Sequence, residues 1–247
     1  MLKHDKIYIF TASINLITAM KIIFLLFLMV AFTISANAQN IQAHYDFGKD
    51  RKLLTTTVEM FKADKFGSTF FFIDMDYSSD ARNVDNGISL AYWEIARAFK
   101  WNENQKIMPR IEYNGGVLKL NGDNTPFVPI ENCWLAGIQH TWASADFSRI
   151  LTLQVNYKYI KNKEDVSFQL TAVWTVQMIR GKLTFTGFAD FWKEIMFWGT
   201  DYRFLAEPQL WYNATKSLSL GTEIELTNNF IGAEFAVCPT LGVKYTF

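Results

Sequence analysis

The sequence predicts an all-β protein: a closed antiparallel transmembrane β-barrel of about 12 strands. Three observations lead to this fold class. Apolar and polar residues alternate along many successive segments, which is the period of a strand with one apolar face. Aromatic residues make up 16% of the chain, with 22 Phe, 10 Tyr and 8 Trp. Beyond the N-terminal segment no run of ~18 apolar residues occurs, so helical membrane spans are excluded.

The N-terminal segment predicts a secretory signal peptide. An almost wholly apolar run, Ile22–Ile34, follows Met20 and a lysine and ends before small residues at Ala36 and Ala38. This is the pattern of a cleaved export signal, and the run is shorter than the ~20 residues that span a bilayer. The alternative is an uncleaved membrane anchor. We assign residues 1–38 to the signal peptide, with Met20 as an alternative start, and residues 39–247 to the barrel.

Candidate strands follow one another along the mature chain, with turn signals between them. Many have about 10–13 residues, which is enough to cross a bilayer when tilted. The predicted strands are Ile41–Gly48, Leu53–Ala63, Ser68–Tyr77, Ile88–Lys100, Ile107–Leu120, Asn132–Ala143, Arg149–Ile160, Asp165–Ile179, Lys182–Trp192, Tyr202–Asn213, Ser217–Thr227 and Ala236–Phe247. Their number is even, as single-chain bacterial barrels prefer.

The final strand ends at the terminal Phe247. One parity is mainly apolar, with Val237, Leu241, Val243, Tyr245 and Phe247, and the other is small and polar, with Cys238, Thr240, Gly242, Lys244 and Thr246. This strand resembles the C-terminal signature of bacterial outer-membrane β-barrels. The resemblance implies an outer-membrane location, contact with outer-membrane lipid, and recognition of this strand by the barrel-assembly machinery. The alternative is an ordinary amphipathic edge strand.

The connections between strands predict the orientation of the barrel. If both termini are periplasmic, the periplasmic turns are short: Asp64–Gly67, Trp101–Lys106, Ser144–Ser148, Arg180-Gly181 and Ala214–Lys216. The outer connections include longer ones: Ser78–Gly87, Asn121–Glu131, Lys193–Asp201 and Asn228–Phe235. Outer-membrane barrels have this alternation of short and long connections.

The parity of each strand predicts which residues face the lumen. Charge on the lipid face near the midplane costs about 2–4 kcal/mol for Arg or Lys, so the polar parity faces inward. Parity alone does not exclude a soluble barrel with the opposite faces, but the export signal and the final strand do. Glu94 is predicted to face inward, which places Arg97 outward, so we expect a bulge or interfacial snorkelling there.

The predicted lumen is rich in carboxylates and contains several aromatic rings. In one interpretation these groups neutralise one another in a plugged, structural lumen. In the other they form a solute path, where aromatic faces stack on flat or sugar rings and carboxylates select hydrogen-bond donors and disfavour anions. The candidate solute-binding residues are Glu59, Phe70, Phe72, Asp74, Asp76, Glu94, Arg110, Glu112, Phe188, Asp190, Trp192, Glu207 and Glu223.

Several strands carry a family resemblance. Gly181–Phe191 resembles a G-x-L-x-x-x-G-F-x-[DN]-F strand of the nucleoside-specific outer-membrane channels of the Tsx type. Thr57–Phe61 and Phe71–Tyr77 are similar to the second and third strands of that family, and Trp93–Phe99 is similar to its E-I-x-x-R-x-F strand with a shifted spacing. The resemblance implies a monomeric channel of 12 strands for passive uptake of small polar solutes, with nucleosides as the specific class.

The alternative is a barrel that does not transport, either structural or a lipid-handling enzyme. Lipid-active outer-membrane enzymes use a His with a Ser two residues on, whereas His140 has Ser144 at the fourth position, ~13 Å along a strand. His44 is the other histidine of the mature chain. Asp74 and Asp76 share a face but lack further cation ligands. We therefore predict no catalytic residues, no metal and no cofactor.

Charge and cysteine content narrow the remaining classes. The chain has 24 basic residues (Lys and Arg together) and 24 acidic residues (Asp and Glu together), so its net charge does not favour nucleic acid as a partner. Cys133 and Cys238 are predicted on strands that lie across the barrel from each other, which favours two free thiols over a disulfide. Which solute passes, and whether the pore is open, does not follow from the sequence.

Overall fold

The structure is an antiparallel sheet of 13 strands. It is a computed structural model that describes residues 39–49, 51–230 and 232–247, and the predicted signal peptide lies outside them. A single 3-10 turn, Asp80–Arg82, lies between two strands. The strands are β1 (Gln39–Asp46), β2 (Leu54–Asp64), β3 (Gly67–Ser79), β4 (Val84–Phe99), β5 (Ile107–Lys119), β6 (Phe127–Ala143), β7 (Arg149–Ile160), β8 (Ser167–Met178), β9 (Leu183–Lys193), β10 (Tyr202–Ala206), β11 (Gln209–Asn213), β12 (Leu218–Asn228) and β13 (Phe235–Thr246).

Pairing between the first and last strands closes the sheet. Asn40 on β1 lies opposite Thr246 on β13, and the ladder continues to Asp46 and Thr240. The other face of β1 pairs with β2, and β13 pairs with β12. A sheet closed in this way has no free edge, which is the condition for strands to cross a bilayer.

Strands β10 and β11 are two halves of one membrane-spanning strand. Both pair with β9 on one side and β12 on the other, and their register does not change across Glu207 and Pro208. The ladder is interrupted there because proline has no N–H to donate. The backbone oxygen of Pro208 still accepts a hydrogen bond from Ile224 at 3.0 Å. The barrel therefore has 12 membrane-spanning strands, as the sequence predicts.

Side chains alternate between an apolar exterior and a polar interior. On β7 the outward Val155 is 54% exposed, whereas the neighbouring Asn156 on the inward parity is 1% exposed. A soluble barrel would bury its apolar side chains and expose the polar ones. The observed distribution is the inverse, so the outer surface suits lipid. Among the described residues, no helix has the length and hydropathy of a membrane span.

The contrast between long and short connections is weaker than predicted. The connections at residues 80–83 and 120–126 are shorter than the predicted loops Ser78–Gly87 and Asn121–Glu131. Strands β4 and β6 begin earlier than predicted and continue their ladders toward this rim, as the Lys119–Phe127 pair illustrates. The shortest connection of the barrel, residues 65–66, lies at the opposite rim, where short turns were predicted.

The structure shows which way Arg97 faces and that the two cysteines are not bonded to each other. Arg97 faces outward without a bulge between it and Glu94, and its guanidinium donates to Asp64 at 2.8 Å near the end of β2. Interfacial pairing, rather than a bulge, is thus how this cation is accommodated. Cys133 on β6 and Cys238 on β13 are free thiols.

The orientation of the barrel can be tested by epitope insertion. An epitope at Asn124, in connection 120–126, is expected to be accessible to antibody on intact cells. An epitope at Ala145, in connection 144–148, is expected to be reached only after the outer membrane is permeabilised. The reason is that Gln39, where β1 begins, and Phe247, which follows β13, lie at the same rim as connection 144–148. Antibody labelling of the Ala145 epitope on intact cells would contradict this orientation and indicate the opposite one.

Candidate functional site

The barrel lumen contains every residue that the sequence nominated. Glu59 lies opposite Phe72 between β2 and β3, and Phe72 lies opposite Glu94 between β3 and β4. On the far side of the barrel, Asp190 on β9 lies opposite Thr171 on β8. The same inward parity includes the other nominated residues: Phe70, Asp74, Asp76, Arg110, Glu112, Phe188, Trp192, Glu207 and Glu223.

One group of carboxylates converges from β3, the β10–β11 strand and β12. Asp74 accepts a hydrogen bond from the Thr57 hydroxyl, and Glu223 accepts one from the Gln209 amide, each at 2.5 Å. The charges of Asp74, Glu207 and Glu223 are close enough to interact, although β3 and β12 are separated around the sheet by β13, β1 and β2. None of these carboxylates forms an ion pair within the described part of the chain.

A second group of carboxylates links β4, β5 and β9. Glu94 accepts hydrogen bonds from the Tyr92 hydroxyl at 2.7 Å and from the Asn114 amide at 3.0 Å. Its charge interacts with those of Glu112 and Asp190. Strands β4 and β9 are five strands apart around the barrel, so carboxylates from opposite parts of the wall act on one another across the lumen. A barrel of 12 strands has a bore between those of filled small barrels and open porins, which suits single small solutes rather than folded partners.

Cations in the lumen are fewer and are already engaged. Arg110 donates to Glu112 on the same strand. Lys158 donates to the Gln169 amide oxygen at 2.7 Å and lies 4.6 Å from the centre of the Trp192 ring. Lys244 lies 4.2 Å from the centre of another ring, that of Trp211. The lumen therefore has an excess of carboxylates without ion-pair partners among the described residues: Glu59, Asp74, Glu94, Asp190, Glu207 and Glu223.

The lumen aromatics differ in whether a solute can reach them. Phe70, Phe72 and Tyr92 form a ladder with successive ring centres 5.9 Å apart, and all three are partly exposed. The cations of Lys158 and Arg203 lie over the ring of Trp192, so this ring offers no free face for stacking on a solute. The predicted stacking role fits the ladder, whereas the surroundings of Trp192 are those of a packing residue.

Two arginines at the rim that holds connections 47–53 and 80–83 were not among the predicted residues. Arg51, in the connection between β1 and β2, reaches Asp46 at 2.7 Å and Glu225 at 2.9 Å. Arg82 reaches the nominated Asp76 at 3.0 Å, so this carboxylate is paired and differs from Asp74. Both arginines lie in connections, where strand parity gives no information about the direction of a side chain.

Arg203 ties two connections together above Trp192. Its guanidinium donates to the backbone oxygens of Asn229 and Phe230 at 2.9 Å each and to the Glu194 carboxylate at 2.5 Å. Burial alone would raise the pKa of Glu194, but the Arg203 charge and a hydrogen bond from Trp192 lower it below its ordinary value. The carboxylate is therefore ionised at neutral pH, and the pair fixes this side of the mouth.

The residues that a lipid-active enzyme would use are directed elsewhere. The His140 Nδ1 atom lies 2.6 Å from the backbone oxygen of Lys106, and the Ser144 hydroxyl donates to Asp146 at 2.6 Å. His140 lines a recess of about 560 Å³ at the rim that holds connection 100–106, together with residues of that connection and with Met108 and Thr141. No nucleophile and base are brought together here.

A protein-family comparison covers nearly all of the described chain. The model of the family described as "Domain of unknown function (DUF5020)" matches residues 38–247. No curated protein is significantly similar in sequence.

Solved structures with a similar fold are outer-membrane barrels. The NanC porin has a TM-score of 0.56 at 11% identity, with 85% of this chain and 100% of that chain covered. The KdgM porin has a TM-score of 0.51 at 10% identity, covering 84% and 99%. Outer membrane phospholipase A from Escherichia coli has a TM-score of 0.53 at 12% identity, covering 86% and 98%. Together with the apolar exterior, this fold places the protein in the bacterial outer membrane.

The Arg51 cluster provides a test of how the mouth is stabilised. Arg51→Gln is expected to lower the free energy of unfolding by about 1–3 kcal/mol, because Asp46 and Glu225 lose a charged donor in a largely buried place. Lys49→Gln removes the same charge from an exposed position of the same connection and is expected to change it little. Urea unfolding of both variants in lipid vesicles measures the difference. If both variants lost the same free energy of unfolding, the contacts of Arg51 with Asp46 and Glu225 would not stabilise the mouth.

Proposed function

We propose that this chain, which belongs to the DUF5020 family, is an outer-membrane channel for passive uptake of small polar solutes. The observation that carries the proposal is the set of carboxylates without ion-pair partners inside a closed, narrow barrel. A purely structural lumen would be expected to neutralise such charges, because buried charges without partners are costly. In a water-filled path the same carboxylates remain hydrated, attract cations and repel anions.

Nucleosides are the solute class that we propose within this function. The resemblance of Gly181–Phe191 to the nucleoside-channel strand is one support. The ladder of Phe70, Phe72 and Tyr92 is another, because it offers aromatic faces for a flat base beside the Asp74 and Glu94 acceptors. Neutral, ring-bearing solutes gain from this arrangement, whereas acidic sugars would be repelled.

A lipid-handling enzyme is the alternative, favoured only by the similar fold of the phospholipase. His140 and Ser144 bind different partners, so they form no catalytic pair that would support this alternative.

For assembly, we infer that β13 carries the signal read by the barrel-assembly machinery, since Tyr245 and Phe247 expose their rings on its outer parity. We infer a monomer, because the sheet closes within one chain.

Electrical measurement on the purified protein tests the channel directly. In a planar bilayer with a KCl gradient we expect steady conductance and a reversal potential that shows preference for K⁺ over Cl⁻. Added nucleosides are expected to reduce the current, while free ribose at the same concentration should have a smaller effect. A folded barrel that never conducts would contradict the channel, and conduction without nucleoside block would leave a channel of another specificity.

Two lumen variants test the role of the carboxylates. Asp74→Asn and Asp190→Asn are each expected to move the reversal potential toward the non-selective value and to weaken solute block by roughly ten- to a hundred-fold, as loss of a hydrogen bond to a charged group of about 1.5–3 kcal/mol implies. Glu103→Gln, exposed in connection 100–106, is the control for charge alone. If the lumen variants melt at a lower temperature but keep the parental selectivity, these carboxylates are packing groups.

A further inference from the structure

Two side chains in the lumen have polar atoms that are buried without a hydrogen-bond partner among the described residues. They are the Nε and Nη1 atoms of Arg110 and both amide atoms of Asn156. Arg110 is 6% exposed and Asn156 is 1% exposed. Buried polar groups almost always find partners, so two such side chains in one place require an explanation.

The register brings these two side chains to the same place in the barrel. Arg110 on β5 lies opposite Gly137 on β6, and Gly137 lies opposite Asn156 on β7. The two Cα atoms are thus separated by two strand spacings, about 10 Å. Gly137 contributes no side chain between them, and a Cβ built there would lie 2.7 Å from the Asn156 Oδ1 atom. The Asn156 amide therefore lies over the glycine, beside Arg110, on the inner face of the wall.

The free atoms define a hydrogen-bonding pattern. Arg110 uses Nη2 for Glu112, and its other two nitrogens are donors only. The Asn156 amide offers one donor group and one acceptor, which pairs with a planar edge that carries an acceptor beside an N–H, as in the recognition of bases by asparagine. A cyclic amide or imide presents this edge, with carbonyl oxygens left for the Arg110 donors.

The surrounding charge argues against an anionic solute. Glu112 already neutralises Arg110, and the charge of Asp190 interacts with those of Arg110 and Glu112. An added carboxylate would face Asp190 and Glu112 at short range. A neutral carbonyl would accept from Arg110 without this repulsion. Lys158, one inward position from Asn156, keeps its charge when it donates to the uncharged Gln169 amide, and it balances the charge of Asp190 as Arg110 balances that of Glu112. These four groups therefore leave no net charge that would favour an anion.

We infer that Arg110 and Asn156, on either side of Gly137, form a subsite for the amide-type edge of a neutral planar ring. The inference rests on the proposed channel function and deepens it, since it names the wall that reads the solute. The acidic strands on the other side of the lumen exclude anions, whereas β5 to β7 recognise the ring edge.

Equilibrium binding in detergent tests this subsite independently of conduction. Calorimetry with uridine on the folded parent is expected to give saturable binding, and N3-methylated uridine, which lacks the N–H, is expected to bind roughly three- to ten-fold more weakly. Asn156→Ala and Arg110→Lys should each weaken uridine binding by a similar factor. In Asn156→Ala the two ligands should then bind almost equally, because the partner of the N–H has been removed.

Gln154→Ala is the matched control, on the same strand and parity as Asn156 and one inward position away. It is expected to bind uridine like the parent. No uridine binding by folded parent, or a preference for uridine over its methylated form that survives in Asn156→Ala, would overturn the subsite. Conductance of the same samples separates the two proposals: binding without conduction defeats the channel alone, and conduction without binding defeats the subsite alone.

Discussion

Backbone hydrogen bonding in lipid is the constraint on which the rest of this structure depends. A strand inside the bilayer has no water to satisfy its N–H and C=O groups, so the sheet must close, and here it closes through β1 and β13. Closure fixes the register of each strand against two neighbours at once. A slip by one residue would turn the whole polar set of a strand toward lipid. The strand pairs keep the same register on both sides of Pro208, although this residue lacks a backbone donor.

A fixed register then decides what the interior must accommodate. Every second residue of 12 strands points into a narrow bore, and these residues are mostly polar. Hydroxyl and amide groups satisfy many carboxylates, as Thr57 does for Asp74 and Thr171 for Asp190. Arginines from the connections neutralise others, and these lie toward the mouth: Arg51 with Asp46 and Glu225, and Arg82 with Asp76. The deeper carboxylates have no such partners among the described residues.

The extent to which the sequence predicts this arrangement follows from the same physics. Period-2 alternation is a local signal, so it predicts strand number, inward parity and the lumen position of residues such as Asp74 and Asp190. It carries no information on connections, and for that reason it does not predict the direction of Arg51 or Arg82, whereas Arg203 lies on β10 with the inward parity of Trp192. It also does not tell an accessible ring from a covered one. Trp192 and Phe72 share a parity, but only contacts across strands, from Lys158 and Arg203, separate their roles.

The two sides of the lumen differ in chemistry, and this asymmetry matters more for selectivity than the bore itself. Strands β6 to β8 present mostly uncharged groups, including Gln139, Asn156 and Thr171, with Lys158 as a cation, while β3, β4 and β12 present carboxylates. In the proposed channel the carboxylate wall would attract a cation and repel an anion. A neutral polar ring can bond to both walls at once. In the proposed channel a uniformly acidic bore would favour cations over neutral solutes, and the uncharged groups of β6 to β8 would let uncharged solutes compete.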